Sequence, residues 1–172
     1  MAVQRICELG DPILRQATLP LDDLTGPRTR ALVADLFDTL RDFRSRTGYG
    51  RSMAAPQIGV LLRAMVIESD EGAFELLNPR YERWSRTETE IYESCLSFPT
   101  IWGLVSRPTS ITVIGYNLNG EQQRIEATGN LARIIQHAMD HLDGLVWLDR
   151  SPDIQSICTT GEYERRYKRN NR

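Results

Sequence analysis

Histidine is almost missing from this sequence, with two residues in 172, and cysteine is little more frequent, with three. Cys7, Cys95 and Cys158 are odd in number and widely spaced, which argues against a disulfide framework and leaves each free to be a small core residue or a ligand. No stretch reaches the roughly 18 apolar residues of a membrane span, and "MAVQRICELGDPILRQ" holds no apolar run of signal-peptide length. A cytoplasmic protein with no membrane partner is expected. Excess charge is missing too, since 21 Lys and Arg stand against 23 Asp and Glu, a net charge of -2. That balance gives no field to draw in a polyanion, so the expected partner is small or local. Internal repeats, low-complexity blocks and long linkers are not found. What remains, 41% hydrophobic and 26% charged residues, is the composition of one globular domain spanning residues 1–172.

Residues 1–26 read as an irregular arm punctuated by Gly10-Asp11-Pro12 and Pro20. Pro27 suits a first helical turn, and Leu32, Leu36, Leu40 and Phe43 recur at helical spacing, so a helix should run to near Arg44. "TGYGRSMAAPQIG" should be a packed loop or a bent extended segment. From Arg63 to Asn117 the runs "RAMVIE", "FELLN", "RTETEIYES", "GLVSR" and "SITVIGYN" read as strands, and Asn119-Gly120 turns into a partner, "EQQRIEA". Asn130 can cap a last long helix, to about Asp143, in which Leu131, Ile134, Ile135, Ala138 and Leu142 face inward and Gly144 marks the stop. The basic end, "YERRYKRNNR", shows no apolar stripe and reads as a solvated tail. The expected fold class is α+β, with antiparallel β-sheets packed around a central metal-binding helix and the helix near Pro27 on the outside.

The two histidines are spent together. His137 and His141 are four residues apart on the last helix, so both imidazoles can face one ion. Taken alone the pair is equally compatible with a structural or surface role, and Cys95 in "ESCLSFP" reads first as a small buried core residue. Together, one thiolate and two imidazoles leave a fourth position open, the arrangement of a hydrolytic metal site. Asp140 reads either as a solvated helix carboxylate or as a group that orients a ligand or anchors the helix.

With these residues in place, the sequence resembles the peptide deformylases, which remove the formyl group from the N-terminal methionine of new polypeptides. Three ordered motifs carry the likeness: "GRSMAAPQ" (Gly50 to Gln57), "ESCLS" (Glu93 to Ser97) and "QHAMDHL" (Gln136 to Leu142). "LGDPILR" and "LARII" are similar as well. The resemblance implies Cys95, His137 and His141 as ligands of one divalent ion, in the family Fe2+, which Zn2+, Ni2+ or Co2+ can replace. It also implies Gln57 and the backbone N–H of Leu96 as oxyanion donors, and Gly50, Arg51, Ile91, Glu93 and Ile134 as contacts to an N-formyl-methionyl peptide.

Three departures touch substrate fit: Arg51 and Ser52 stand where the first motif has an apolar residue and glycine, and Ser94 stands where the second has glycine. A fourth touches the chemistry. Ala138 occupies the place of the glutamate in the pattern His-Glu-x-x-His that would act as general base, and a methyl group carries no proton. The sequence therefore implies a formyl-amide hydrolase that is weakly active or inactive in this form. The rivals are a non-catalytic binder of formylated N-termini and a homologue with an altered amide substrate. A contact with ribosomal RNA through "RRYKR" is a further implied partner.

Overall fold

Proline opens the first helix and glycine closes it. In the computed structural model, which describes residues 2–70 and 72–168, α1 runs Pro27–Thr47, past the expected stop near Arg44, with Gly48 beyond its end at φ 76. Of its expected stripe Leu36, Leu40 and Phe43 are buried, while Leu32 is half-buried and Val33 takes the inner place beside it. The strands that follow are β1 (Ser52–Ala54), β2 (Ala64–Ser69), β3 (Gly72–Trp84), β4 (Glu88–Cys95), β5 (Phe98–Pro108), β6 (Ser110–Tyr116) and β7 (Gln122–Thr128). They lead into α2, Gly129–Leu142, then β8, Cys158–Thr159, and α3, Thr160–Arg166. All paired strands are antiparallel, in one sheet of order β1-β2-β3-β6-β7 and another of order β4-β5-β8. This is the α+β arrangement that the sequence implies.

The unbroken apolar run of β2 has a physical cause: the strand is covered on both faces. Ala64 and Val66 pack with Leu36 and Leu40 of α1, while Met65 and Ile67, pointing the other way, pack with Ile135 and Met139 of α2. A third cluster, Cys95, Phe98, Val105, Val146 and Trp147, fills the base of the smaller sheet. It depends on Gly103, where an added Cβ would come within 2.6 Å of the Trp147 ring. Among the described residues no helix is long and apolar enough to cross a membrane.

Three local expectations are corrected. The residue before α2 is Thr128, not Asn130, because β7 feeds straight into the helix and Gly129, at φ 53, makes the bend while its N–H donates to the Thr109 carbonyl. β3 continues six residues beyond "FELLN", through Asn78-Pro79. Asn78 adopts φ 50 and its amide exchanges two hydrogen bonds with Leu21, so the apparent break is a bulge stitched to the N-terminal arm. The basic end is not a plain tail: Tyr163 is buried and Tyr167 stacks on Tyr92 at 4.5 Å, an i,i+4 aromatic stripe interleaved with charges. Arg169–Arg172 lie outside the described residues.

Candidate metal centre

Two elements meet to make the centre. β4 ends at Cys95, which pairs with Phe98 across the turn Leu96-Ser97, and the register shifts between Glu93 and Cys95. Such a shift re-aims the chain, here toward α2. From α2 come His137 and His141, one turn apart. Cys95 Sγ lies 3.2 Å from His141 Nε2, and one donor atom from each of Cys95, His137 and His141 falls within 4.8 Å of the others. The donor set, a thiolate and two imidazoles converging from two rigid elements, fits one divalent ion of the Zn2+ or Fe2+ kind.

Electrostatics favours the ligating forms. Burial alone would push the Cys95 thiol up, but His141 and His137 beside it outweigh that and hold it at about 5. His137 Nδ1 is 3.0 Å from Glu93 Oε2, which fixes the ring and leaves its other nitrogen for the centre. His141 has no such holder: its Nδ1 is buried without a partner among the described residues, so packing aims that ring.

Glu93, implied by resemblance as a substrate contact, has its carboxylate taken up by neighbouring side chains. It borders the cavity, yet both carboxylate oxygens are committed: Oε1 accepts from Arg107 Nε and Arg133 Nη1, each at 2.7 Å, and Oε2 accepts from Arg107 Nη2 at 3.0 Å. Burial works against its ionisation, and the Arg107 guanidinium beside it prevails, holding the carboxyl below the usual carboxylate range. Arg107 also donates to Asp140 at 2.7 Å, and Arg150 closes the chain on the far oxygen of Asp140 at 3.1 Å. Asp140 therefore anchors the helix and is not a solvated carboxylate. Arg107, Arg133 and Arg150 escaped the sequence reading because their partners lie ten or more residues away, beyond any helical or strand period; the one available signal was Arg107, the single charge in β5. Arg107→Met should lower unfolding stability by about 3–5 kcal/mol, because two buried carboxylates lose the guanidinium they share and keep one arginine each. Urea unfolding followed by circular dichroism measures it, and a loss below about 1 kcal/mol would show that water reaches Glu93 and Asp140.

Gln57 sits at the end of the bent segment after β1, 1% exposed. The Ala54 N–H donates to its Oε1 at 3.0 Å, which turns the amide nitrogen toward Cys95 Sγ at 3.6 Å and Ser97 Oγ at 3.3 Å. A cavity of about 440 Å³ opens beside Cys95 and His137, bordered by Gly50, Arg51, Ile91, Leu96 and Ile134. Gly50 holds φ 108 with Leu40 and Leu96 close by, so glycine is required there. Ser52 and Ser94 are under no such demand, since Asn78 is the one described non-glycine residue with positive φ. Arg51 leans outward to pair with exposed Asp70 at 2.8 Å. Ala138 is 0% exposed, packed in the apolar cluster of Ala54, Met65 and Ile135.

A family described as polypeptide deformylase matches residues 3–156. A peptide deformylase of Carboxydothermus hydrogenoformans is 40% identical over 154 residues, covering 90% of this chain and 97% of its own length. Another, from Desulforudis audaxviator, is 43% identical over 155 residues, covering 90% and 97%. Among solved structures, the peptide deformylase of Synechococcus elongatus in complex with actinonin superposes with TM-score 0.82 at 31% identity, covering 91% of this chain and 86% of that one. That of Thermotoga maritima gives 0.83 at 29%, covering 89% and 100%.

Proposed function

We infer the activity from one premise: the chain belongs to the polypeptide deformylase family. It is a metallohydrolase of the peptide deformylase type. We assign to a single domain spanning residues 1–172 the hydrolysis of the formamide at the N-terminus of N-formyl-methionyl polypeptides, at a rate held low by Ala138. One observation carries the low rate: of the described residues that border the cavity, Glu93 is the one carboxylate, and two arginines and His137 already occupy it.

Cys95, His137 and His141 would hold the ion, Fe2+ foremost in the family, with Zn2+, Ni2+ or Co2+ able to take its place. When bound, it supplies Lewis-acid activation of the attacking water and the formyl carbonyl. The chain supplies the rest. The Gln57 amide, fixed by Ala54, and the Leu96 N–H donate to the oxygen that gains charge as the carbonyl carbon becomes tetrahedral. Ile91 and Ile134 offer the methionine side chain an apolar wall, with Gly50 close to its backbone. Glu93 keeps His137 in its ligating tautomer. Among the described residues no side chain stands ready to accept the water's proton and deliver it to the leaving amine, and a positioned acid–base group contributes about 10²–10⁴-fold.

The oriented Gln57 amide supports a hydrolase over a pure binder, which has little use for an oxyanion donor. The ribosomal contact expected of the basic end has less to stand on, because Arg165 and Arg166 pair with Glu162, and Lys168 with Glu164. Zinc- or nickel-loaded protein incubated with formyl-Met-Ala-Ser should release formate slowly and stop when a chelator is added. Stoichiometric metal with peptide binding but no formate at all would instead favour the binder.

A further inference from the structure

The family match ends at residue 156, yet the cavity wall does not. In β8, Cys158 and Thr159 pair with Trp102 and Ile101 at the edge of β5. The Thr160 hydroxyl then accepts from Trp102 Nε1 at 3.1 Å and donates to the Pro99 carbonyl at 3.0 Å. These bonds set α3 so that Tyr163 lies face to face on Trp102, ring centroids 3.9 Å apart and 3° from parallel. The opposite lip is tied to the same helix: Glu164 accepts from the Tyr49 hydroxyl at 2.9 Å, and Lys168 Nζ donates to that carboxylate at 2.9 Å. Tyr49 in turn meets Trp102 edge-on at 5.7 Å. Tyr49, Trp102 and Tyr163 all border the cavity that holds Cys95 and His137.

A short helix beyond the family's segment thus straps the two lips of the site together. The charged tie is on the surface and weak, so ring stacking and the Thr160 bonds hold the strap. We propose that Tyr49 and Trp102 present the open faces of an aromatic box to the residue that follows the formylated methionine, and that Tyr163, buried and stacked behind Trp102, is the positioning residue that sets a preference for an aromatic side chain there over a small one. The proposal rests on the deformylase reading above. Its logic is one of place. The apolar wall of Ile91 and Ile134 takes the first side chain, and the remaining ring surface of the cavity, with Tyr49 38% exposed, offers stacking to the next.

The test uses zinc-loaded full-length protein and three probes: N-formyl-methionine, formyl-Met-Ala and formyl-Met-Phe. Calorimetry should show formyl-Met-Phe binding about tenfold tighter than formyl-Met-Ala, the factor expected of one added aromatic pair. Tyr163→Ala should cut that ratio to about threefold or less while formyl-Met-Ala binding stays within about twofold, and Tyr163→Phe should restore the ratio. Amide exchange in the unmodified protein gives an answer even if Tyr163→Ala misfolds. Thr160–Arg166 should gain protection with formyl-Met-Phe and none with N-formyl-methionine. An unchanged ratio in folded Tyr163→Ala, or equal protection by both probes, overturns the box and leaves the deformylase reading standing. Metal-loaded protein that binds none of the probes overturns both.

Discussion

Ala138→Glu should raise formyl-methionine hydrolysis by about 10²-fold or more, with metal content unchanged, because the proposed function gives Gln57, Leu96 and the Cys95, His137 and His141 group their roles already and lacks only the proton carrier. In barrier terms the missing group is worth roughly 3–5 kcal/mol. The structure adds a cost that helix propensity does not reveal. Ala138 is wholly buried against Ala54 and Met65, so the longer side chain must displace apolar neighbours, and stability should fall by about 1–3 kcal/mol. The same burial raises a carboxyl's pKa, which suits a general base working near neutrality. Steady-state formate release, read beside thermal unfolding, separates the two effects. A folded, metal-loaded Ala138→Glu protein that gains nothing would show that the pocket, not the missing base, limits the reaction.

Cys95→Ala and His141→Ala should each abolish stoichiometric metal, and with it any formate release. Two remaining ligands hold an ion too weakly to survive dialysis, and the thiolate is the one anionic donor of the set. Plasma emission spectroscopy on dialysed protein provides the count. Circular dichroism should stay close to that of the unmodified protein, since neither change removes a bond that anchors the fold. Undiminished metal in both variants would place the ion elsewhere.

How much of this was legible in the residues depends on whether a feature is local. The helices follow from a period: Leu36 and Leu40 bury α1, and Ile135 and Leu142 bury α2, as their spacing demands. The candidate donor group was legible because two histidines fell one turn apart beside an ordered cysteine motif. The network behind them was not, since Glu93 meets Arg133 forty residues away and His137 forty-four away, and no local pattern encodes such pairings. β3 runs six residues past "FELLN", an extension hidden because the apolar pattern lapses at Asn78-Pro79, where the fold carries the strand on through a bulge. α3 was overlooked because Tyr163 and Tyr167 are spread among charges, and two rings make a stripe only when Trp102 and Tyr92 are there to receive them.

Strand β2, shared by the two apolar clusters, ties the fate of the surface helix to that of the chemistry. Loosening α1 uncovers Ala64 and Val66, and the same strand carries Met65 and Ile67, on which the histidine-bearing helix rests. Neither cluster can melt by itself while the strand stays in register. A substitution on α1, remote from every ligand, is therefore transmitted to the centre as a change in how often the whole sandwich comes apart, and the site inherits the cooperativity of the entire interior.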